Sequence, residues 1–320
     1  MKLIFSLFLI TSLNSWGSQR VWIDYDVALG RMFRDPDDGL ALIAAATSPE
    51  LDVVGISFGF GNVNNLGFME KQTRKILKKI GRTDIPFFRG AQNTNELGQE
   101  TPASLALAEA LKKAPLRIIS LGRASNIANA ITLHPEIKPF IQEVIVNYGR
   151  RLSTETPVGR KNLILPDTNV DGDFRAVKIL IQNKMKITLI PTELMHDQIV
   201  DRWDMKNLRN GGHISKWVER KIKLWKLLWN IYPGLNGFIP WDVFVVGYLT
   251  RPQDFKCDLN TPISLRYLKN NTHKLFEKNK PASKYFVVTD PQLGDGTMGN
   301  YCYAVDSQHI DRWIQHWMKL

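Results

Sequence analysis

From Arg20 onward, short apolar runs rich in Val, Ile, Leu and Phe alternate with longer stretches in which apolar positions recur every three to four residues. Continuous apolar runs suit strands covered on both faces, and the longer periodic stretches suit helices that lie over them. The pattern predicts strands over 21–26, 51–58, 85–89, 116–121, 143–147 and 186–190, with helices over 39–47, 65–80, 102–113, 125–133 and 173–183 between them. Strand and helix in strict alternation mark parallel strands joined by crossover helices, so the expected class is α/β with a mainly parallel central sheet and flanking helices. Ligands of such sheets bind beyond the carboxyl ends of the strands, which would gather Asp24, Asp26, Asn62, Leu121 and Gly122 on one rim.

After Pro191 the pattern turns helical. The segment 214–231 sets Trp217, Leu224, Trp225, Leu228 and Trp229 among basic residues. Such a helix either lies on a membrane surface or packs its tryptophans on the domain and covers the site. Near the end, 285–289 and 301–305 read as a late strand pair and 311–320 as a closing helix. With no repeat, low-complexity linker or firm boundary, 18–320 is expected to be a single α/β domain.

The first residues follow another rule. Met1-Lys2 supplies a positive charge, Leu3 to Leu13 is mostly apolar, and Ser15-Trp16-Gly17 puts small residues where a signal peptidase cuts. Residues 1–17 are expected to be a signal peptide, because the apolar run is shorter than the roughly 20 residues that span a bilayer. The mature chain would be exported, to a periplasm or beyond the cell, with no stable membrane insertion.

A net charge of +11 and a pI near 9.6 would suit a polyanionic partner. The Lys and Arg residues are spread along the chain, however, and no zinc-ligand or RNA-recognition signature accompanies them, so no nucleic-acid partner is expected. Cys257 and Cys302 either pair in an oxidising compartment or stay apart, since sequence does not fix their distance.

The chemistry is concentrated early. Asp24, Asp26, Asp35, Asp37 and Asp38 put five carboxylates within fifteen positions, at the end of the first strand and the start of the first helix. Packed at the mouth of a sheet, they raise one another's pKa unless a cation sits among them. A hard divalent ion with all-oxygen coordination, calcium above zinc, suits this set; taken alone, Asp35 to Asp38 could equally be helix-capping acids.

The cluster does not stand alone. Asp24-Tyr25-Asp26, Asp37-Asp38-Gly39-Leu40-Ala41-Leu42, Ser48-Pro49-Glu50 and Gly59-Phe60-Gly61-Asn62 resemble, in order, the N-terminal signature of the nucleoside hydrolases. That inosine-uridine-preferring N-ribohydrolase family opens with Asp-Thr-Asp-Pro-Gly-x-Asp-Asp. Leu121 to Ala128 is similar to its Thr-Gly-Pro-Leu-Thr-Asn-Ile-Ala, and Asp167 to Ala176 to its Glu-Phe-Asn-x-x-x-Asp-Pro-Glu-Ala. Trp241-Asp242 falls where the family has a His-Asp pair.

The resemblance, which spans about 21–252, implies a Rossmann-like nucleoside hydrolase fold and calcium-dependent release of ribose and free base from ribonucleosides. It implies Asp26, Asp38, Asp242 and the carbonyl of Leu121 as calcium ligands, with Asp26 also the general base on the attacking water. Asp37, Asn62, Asp167 and Asn169 would hold the ribose and Trp241 the base, while Asp24 supports this shell. Homodimers and homotetramers occur in the family, which allows a homo-oligomer here by analogy alone, and the sequence does not fix the oligomeric state.

Several departures bear on the reading, among them Arg150 where the family has glycine after Asn147-Tyr148-Gly149. Residues 27–36 are inserted within the Asp motif, as a surface excursion or as a loop bringing Arg31 or Arg34 toward a phosphorylated or ADP-ribosyl substrate. Trp241 replaces a histidine that protonates the leaving base in some members, so another acid such as His196 or Tyr232 would have to serve. Asp167 is one methylene shorter than the family's glutamate. A secreted, calcium-dependent nucleoside- or ribose-binding protein without turnover is the alternative these departures motivate, and release of free base separates the two. Phosphoryl transfer by Asp24 or Asp26 as nucleophile would make the downstream matches coincidence.

Overall fold

The computed structural model describes residues 18–270, 282–293 and 296–320, so the expected signal peptide at 1–17 lies outside the described residues. The first half follows the alternation read from the sequence. In order come β1 (Gln19–Tyr25), α1 (Asp37–Thr47), β2 (Leu51–Phe58), α2 (Leu66–Lys79), β3 (Phe87–Arg89), α3 (Pro102–Lys113), β4 (Leu116–Ser120), α4 (Ser125–Leu133) and β5 (Ile141–Val146). Three short strands, β6 (Arg150–Arg151), β7 (Pro157–Val158) and β8 (Leu163–Ile164), precede α5 (Thr168–Asp171), α6 (Phe174–Gln182) and β9 (Ile187–Leu189). The helices α7 (Thr192–Met195), α8 (Arg202–Asn210), α9 (His213–Ile231) and α10 (Trp241–Thr250) follow, then β10 (Phe255–Asn270), β11 (Ala282–Thr289), β12 (Thr297–Val305) and α11 (His309–Met318).

The strands β3-β2-β1-β4-β5-β9 lie side by side and parallel, and β12-β10-β11-β6 extend the sheet. β1 is central because its run from Val21 to Tyr25 is buried on both faces. Val21, Ile23 and Tyr25 join the core under α1, α9 and α10, whereas Trp22 turns to the other core with α3, α4 and α6. The chain winds outward from β1 through β2 to β3 and returns to β1's other edge at β4. The crevice beyond the ends of β1 and β4 is therefore the topological switch point, where the connections from β1 and β4 part in opposite directions and leave room for a ligand.

The C-terminal part departs from the expected pattern. Segments 285–289 and 301–305 do become strands, but they do not pair with each other. Both pair antiparallel with β10, which the pattern did not predict. Its sequence mixes polar residues with Pro262, and its pairing with β12 shifts register at Lys256/Cys257 and Asp258/Thr261, so no steady two-residue period is left to read. Cys257 lies opposite Cys302 on β12 and the two form a disulfide, which settles the pairing the sequence left open.

Helix α9 packs inward. Trp217, Trp225 and Trp229 are buried while Leu224, Leu227 and Ile231 face solvent. Among the described residues, no helix is long and apolar enough to cross a membrane.

Candidate active site

The end of β1 and the end of β4 are tied together at the switch point by Leu121 N–H donating to the Asp24 carbonyl at 2.8 Å. The Asp24 side chain turns away from the crevice. Its Oδ1 accepts from Ser57 Oγ at 2.5 Å and Asn126 Nδ2 at 2.8 Å, joining β1, β2 and α4, and burial pushes its pKa up to about 7. It does not line the cavity and so stands behind the residues that do.

Asp26, one residue past β1, turns into the crevice. Its backbone N–H donates to Asp38 Oδ1 at 3.1 Å, and its own Oδ2 accepts from Asn62 N–H at 2.7 Å. That close approach needs glycine at two neighbours. A Cβ on Gly61 would fall 1.7 Å from Asp26 Oδ2, and one on Gly122 would sit 3.1 Å from Asp26 N.

Helix α1 has Pro36 at its cap and no side chain capping it, so Asp37 and Asp38 of its first turn remain for the site. Asp38 N–H donates to Asp37 Oδ1 at 3.0 Å. Helix α10 enters beside α1, and Asp242 N–H donates to Asp37 Oδ2 at 3.3 Å. Asn147, just past β5, holds Asp242 Oδ1 through its Nδ2 at 2.7 Å. Carboxylate oxygens of Asp37, Asp38 and Asp242 thereby lie within 4.8 Å of one another, all three residues buried. Two helix N-termini point at this trio and offset only part of its charge.

Burial raises the pKa of every member, and in Asp38 and Asp242 repulsion adds to it. Asp38 is held well above the ordinary carboxylate range by burial and then by Asp26 and Asp37, and Asp242 by burial and then by Asp37 and Asp38. Asp26 rises to about 6, mainly through burial. Such a set costs the fold free energy unless a cation accompanies it. Its donors, carboxylate oxygens with the nearby Leu121 carbonyl, fit a hard divalent ion. That carbonyl also accepts from Asn169 Nδ2 at 2.7 Å, which leaves it a second lone pair.

Asp26, Asp37, Asp38, Asn62, Leu121, Asp167, Asn169, Trp241 and Asp242, nine residues from five regions of sequence, all line one cavity of about 460 Å³. Asp167 accepts from Gly149 N–H at 3.2 Å, and burial lifts its pKa to about 7. The apolar part of the lining is a row of indoles. Trp225 and Trp229 of α9 have ring centroids 6.0 Å apart, and Trp229 and Trp241 are likewise 6.0 Å apart.

Other expectations are corrected. Neither His196 nor Tyr232 lines the cavity: His196 Nε2 sits 3.0 Å from Asp197 on a half-exposed stretch, and Tyr232 lies past the end of α9 under Lys161. The insertion 27–36 is not a simple surface excursion, since Val27, Ala28 and Leu29 are fully buried and only its tip is exposed. Within that tip, Arg34 and Phe33 reach the cavity, while Arg31 stacks over Phe68 instead, with its Cζ 5.5 Å from the ring centroid. Asn147, Tyr148 and Arg123 were missed as site residues. Arg123 sits inside a motif quoted above, and the only signal was that arginine stands there where the similar motif has proline.

A family model described as "Inosine-uridine preferring nucleoside hydrolase" matches residues 21–308. A curated relative, the pyrimidine-specific ribonucleoside hydrolase RihA of Escherichia coli O1:K1, is 26% identical over 208 residues, covering 55% of this chain and 63% of the relative's own length. The chain thus spans less than two thirds of the curated relatives it matches. Among solved structures, a plant nucleoside hydrolase, the PpNRh1 enzyme, superposes with a TM-score of 0.76 at 17% identity, over 95% of this chain and 99% of that one. A purine-preferring ribonucleoside hydrolase from Gardnerella vaginalis superposes with a TM-score of 0.71 at 19% identity, over 94% and 98%. At these identities the two likenesses establish the fold.

Proposed function

The chain belongs to the inosine-uridine preferring nucleoside hydrolase family, and from that premise we propose that it hydrolyses the N-glycosidic bond of ribonucleosides with a bound calcium ion, releasing ribose and free base. The observation that carries the proposal is the gathering of Asp26, Asp37, Asp38 and Asp242 with Asn62 and Asn169 around one cavity at the switch point of the sheet.

Asp38, Asp242, Asp26 and the Leu121 carbonyl would hold the ion. When bound, calcium would supply Lewis acidity that makes the attacking water easier to deprotonate, and its preference for oxygen ligands would favour substrates with vicinal hydroxyls, that is ribosides. The chain's residues do the rest. Asp26, held by Asn62 N–H, accepts the proton of the attacking water. Asp37, Asn62, Asn169 and Asp167 orient the ribose hydroxyls, and the surrounding carboxylates stabilise the positive charge that builds on the sugar as the bond breaks. Trp241, Trp229 and Trp225 offer faces for the base to stack on and exclude water from the breaking bond. The Cys257–Cys302 disulfide supports export to an oxidising compartment, which we include in the proposal.

Free base and ribose are measured from a panel of ribonucleosides with and without a calcium chelator. The expected result is release from at least one member, lost on chelation, restored by calcium, and lowered by about 10³-fold or more in Asp26→Ala. If no member is cleaved while nucleosides still bind, the chain is a binding protein and the hydrolase proposal fails.

A further inference from the structure

Arg123 is the feature that the reaction as described does not use. It follows β4 on the loop into α4, lines the cavity, and stacks its guanidinium on Phe60 with Cζ 4.6 Å from the ring centroid. Its Nε is buried and makes no hydrogen bond, and the side chain forms no ion pair among the described residues. A Cβ on Gly172 would lie 2.5 Å from its terminal nitrogen, so the absence of a side chain there gives the guanidinium its place. A buried arginine donor without an acceptor is destabilising, and a planar fork of N–H groups matches phosphate oxygens in particular. Arg34, at the tip of the inserted loop, lines the same cavity, and its side chain likewise has no hydrogen-bond or ion-pair partner among the described residues.

We propose that Arg123, assisted by Arg34, forms an anion subsite that selects ribosides carrying a phosphate group over neutral ribonucleosides. The inference rests on the N-ribohydrolase reading and names its substrate class. The neighbouring carboxylates do not forbid it. The guanidinium is the favourable counter-charge to Asp26 and Asp173, and a cation among Asp37, Asp38 and Asp242 offsets part of what remains. Arg123 then orients the phosphate and leaves Asp26 to work on water.

The test compares kcat/KM for inosine and uridine with those for their 5′-monophosphates and 3′-monophosphates, in the natural chain and in Arg123→Gln, with calcium present. Binding of ribose and of ribose 5-phosphate is followed by calorimetry in the same two proteins. The expected result is a preference of about tenfold or more for one class of monophosphate, a tenfold step being 1.4 kcal/mol. In Arg123→Gln the preference collapses mainly through KM. The 5′ and 3′ arms identify which phosphate is read. A purely structural arginine would lower neutral and phosphorylated substrates alike and leave their ratio unchanged, which overturns the inference. If neutral nucleosides are cleaved as well as or better than their phosphates, and ribose 5-phosphate binds no tighter than ribose, the subsite falls while the hydrolase reading stands. If nothing is cleaved but ribose 5-phosphate binds about tenfold tighter than ribose and loses that margin in Arg123→Gln, the subsite stands and the hydrolase reading falls.

Discussion

The polar and aromatic parts of the cavity lining are built on opposite terms. Asp26, Asp37, Asp38 and Asp242 are buried carboxyl groups that burial makes harder to ionise, and in Asp38 and Asp242 the charges of neighbouring carboxylates add to it. Trp225 and Trp229 are buried rings whose apolar faces gain from packing on one another and, for Trp229, on Trp241, although their indole N–H groups make no hydrogen bond among the described residues. The first set opposes folding unless a cation accompanies it, whereas the second stabilises the fold and shapes the pocket by the same contacts. A residue's contribution to stability and its contribution to chemistry are here separated within a few ångströms.

Substitution sharpens the contrast most strongly at Trp229, which is 2% exposed and touches both other indoles of the row. Trp229→Ala should destabilise the chain by about 3–5 kcal/mol, the usual cost of emptying a buried tryptophan site, read by chemical denaturation. Asp38→Asn, assayed without metal, should instead raise stability, because it removes one of the mutually repelling carboxylates. If both substitutions destabilise alike, the separation is wrong.

A smaller effect is expected from pH. Asp167 has a folded pKa of about 7 against an ordinary 3.8, so between these values the folded chain holds a proton that the unfolded chain has released. Stability contributed by this group is full below about pH 4 and declines as pH rises toward about 7. Asp167→Asn should flatten that decline, seen by comparing denaturation midpoints at about pH 5 and about pH 8. An unchanged slope would mean that Asp167 is not held in its neutral form.

The two parts of the lining also differ in how far they could be read from sequence. Asp24, Asp26, Asp37 and Asp38 sit at strand and helix ends that local periodicity already locates, and the spaced motifs place Asn62, Leu121 and Asn169 on the same rim. All but Asp24 reach the cavity. What sequence left open depends on distant packing. Helix α9 could have faced a membrane until the structure buried Trp225 and Trp229, and His196 and Tyr232 looked available until the fold put them elsewhere. The insertion 27–36 mixes core and surface positions, because Leu29 fills the space against Gly39 while Arg34 is solvent-exposed and lines the cavity. Strand β10 was missed because Pro262 and two register shifts break its alternation, and only its pairing with β11 and β12 reveals it.

The most direct test of the account is calorimetric titration of calcium into the chelator-treated chain, alongside Asp38→Asn. One calcium per chain should bind to the natural sequence and fail to bind in Asp38→Asn, with base release from a cleaved ribonucleoside returning in step with occupancy. Base release that proceeds undiminished with no divalent ion bound would contradict the claim that the acidic cluster is there to hold one.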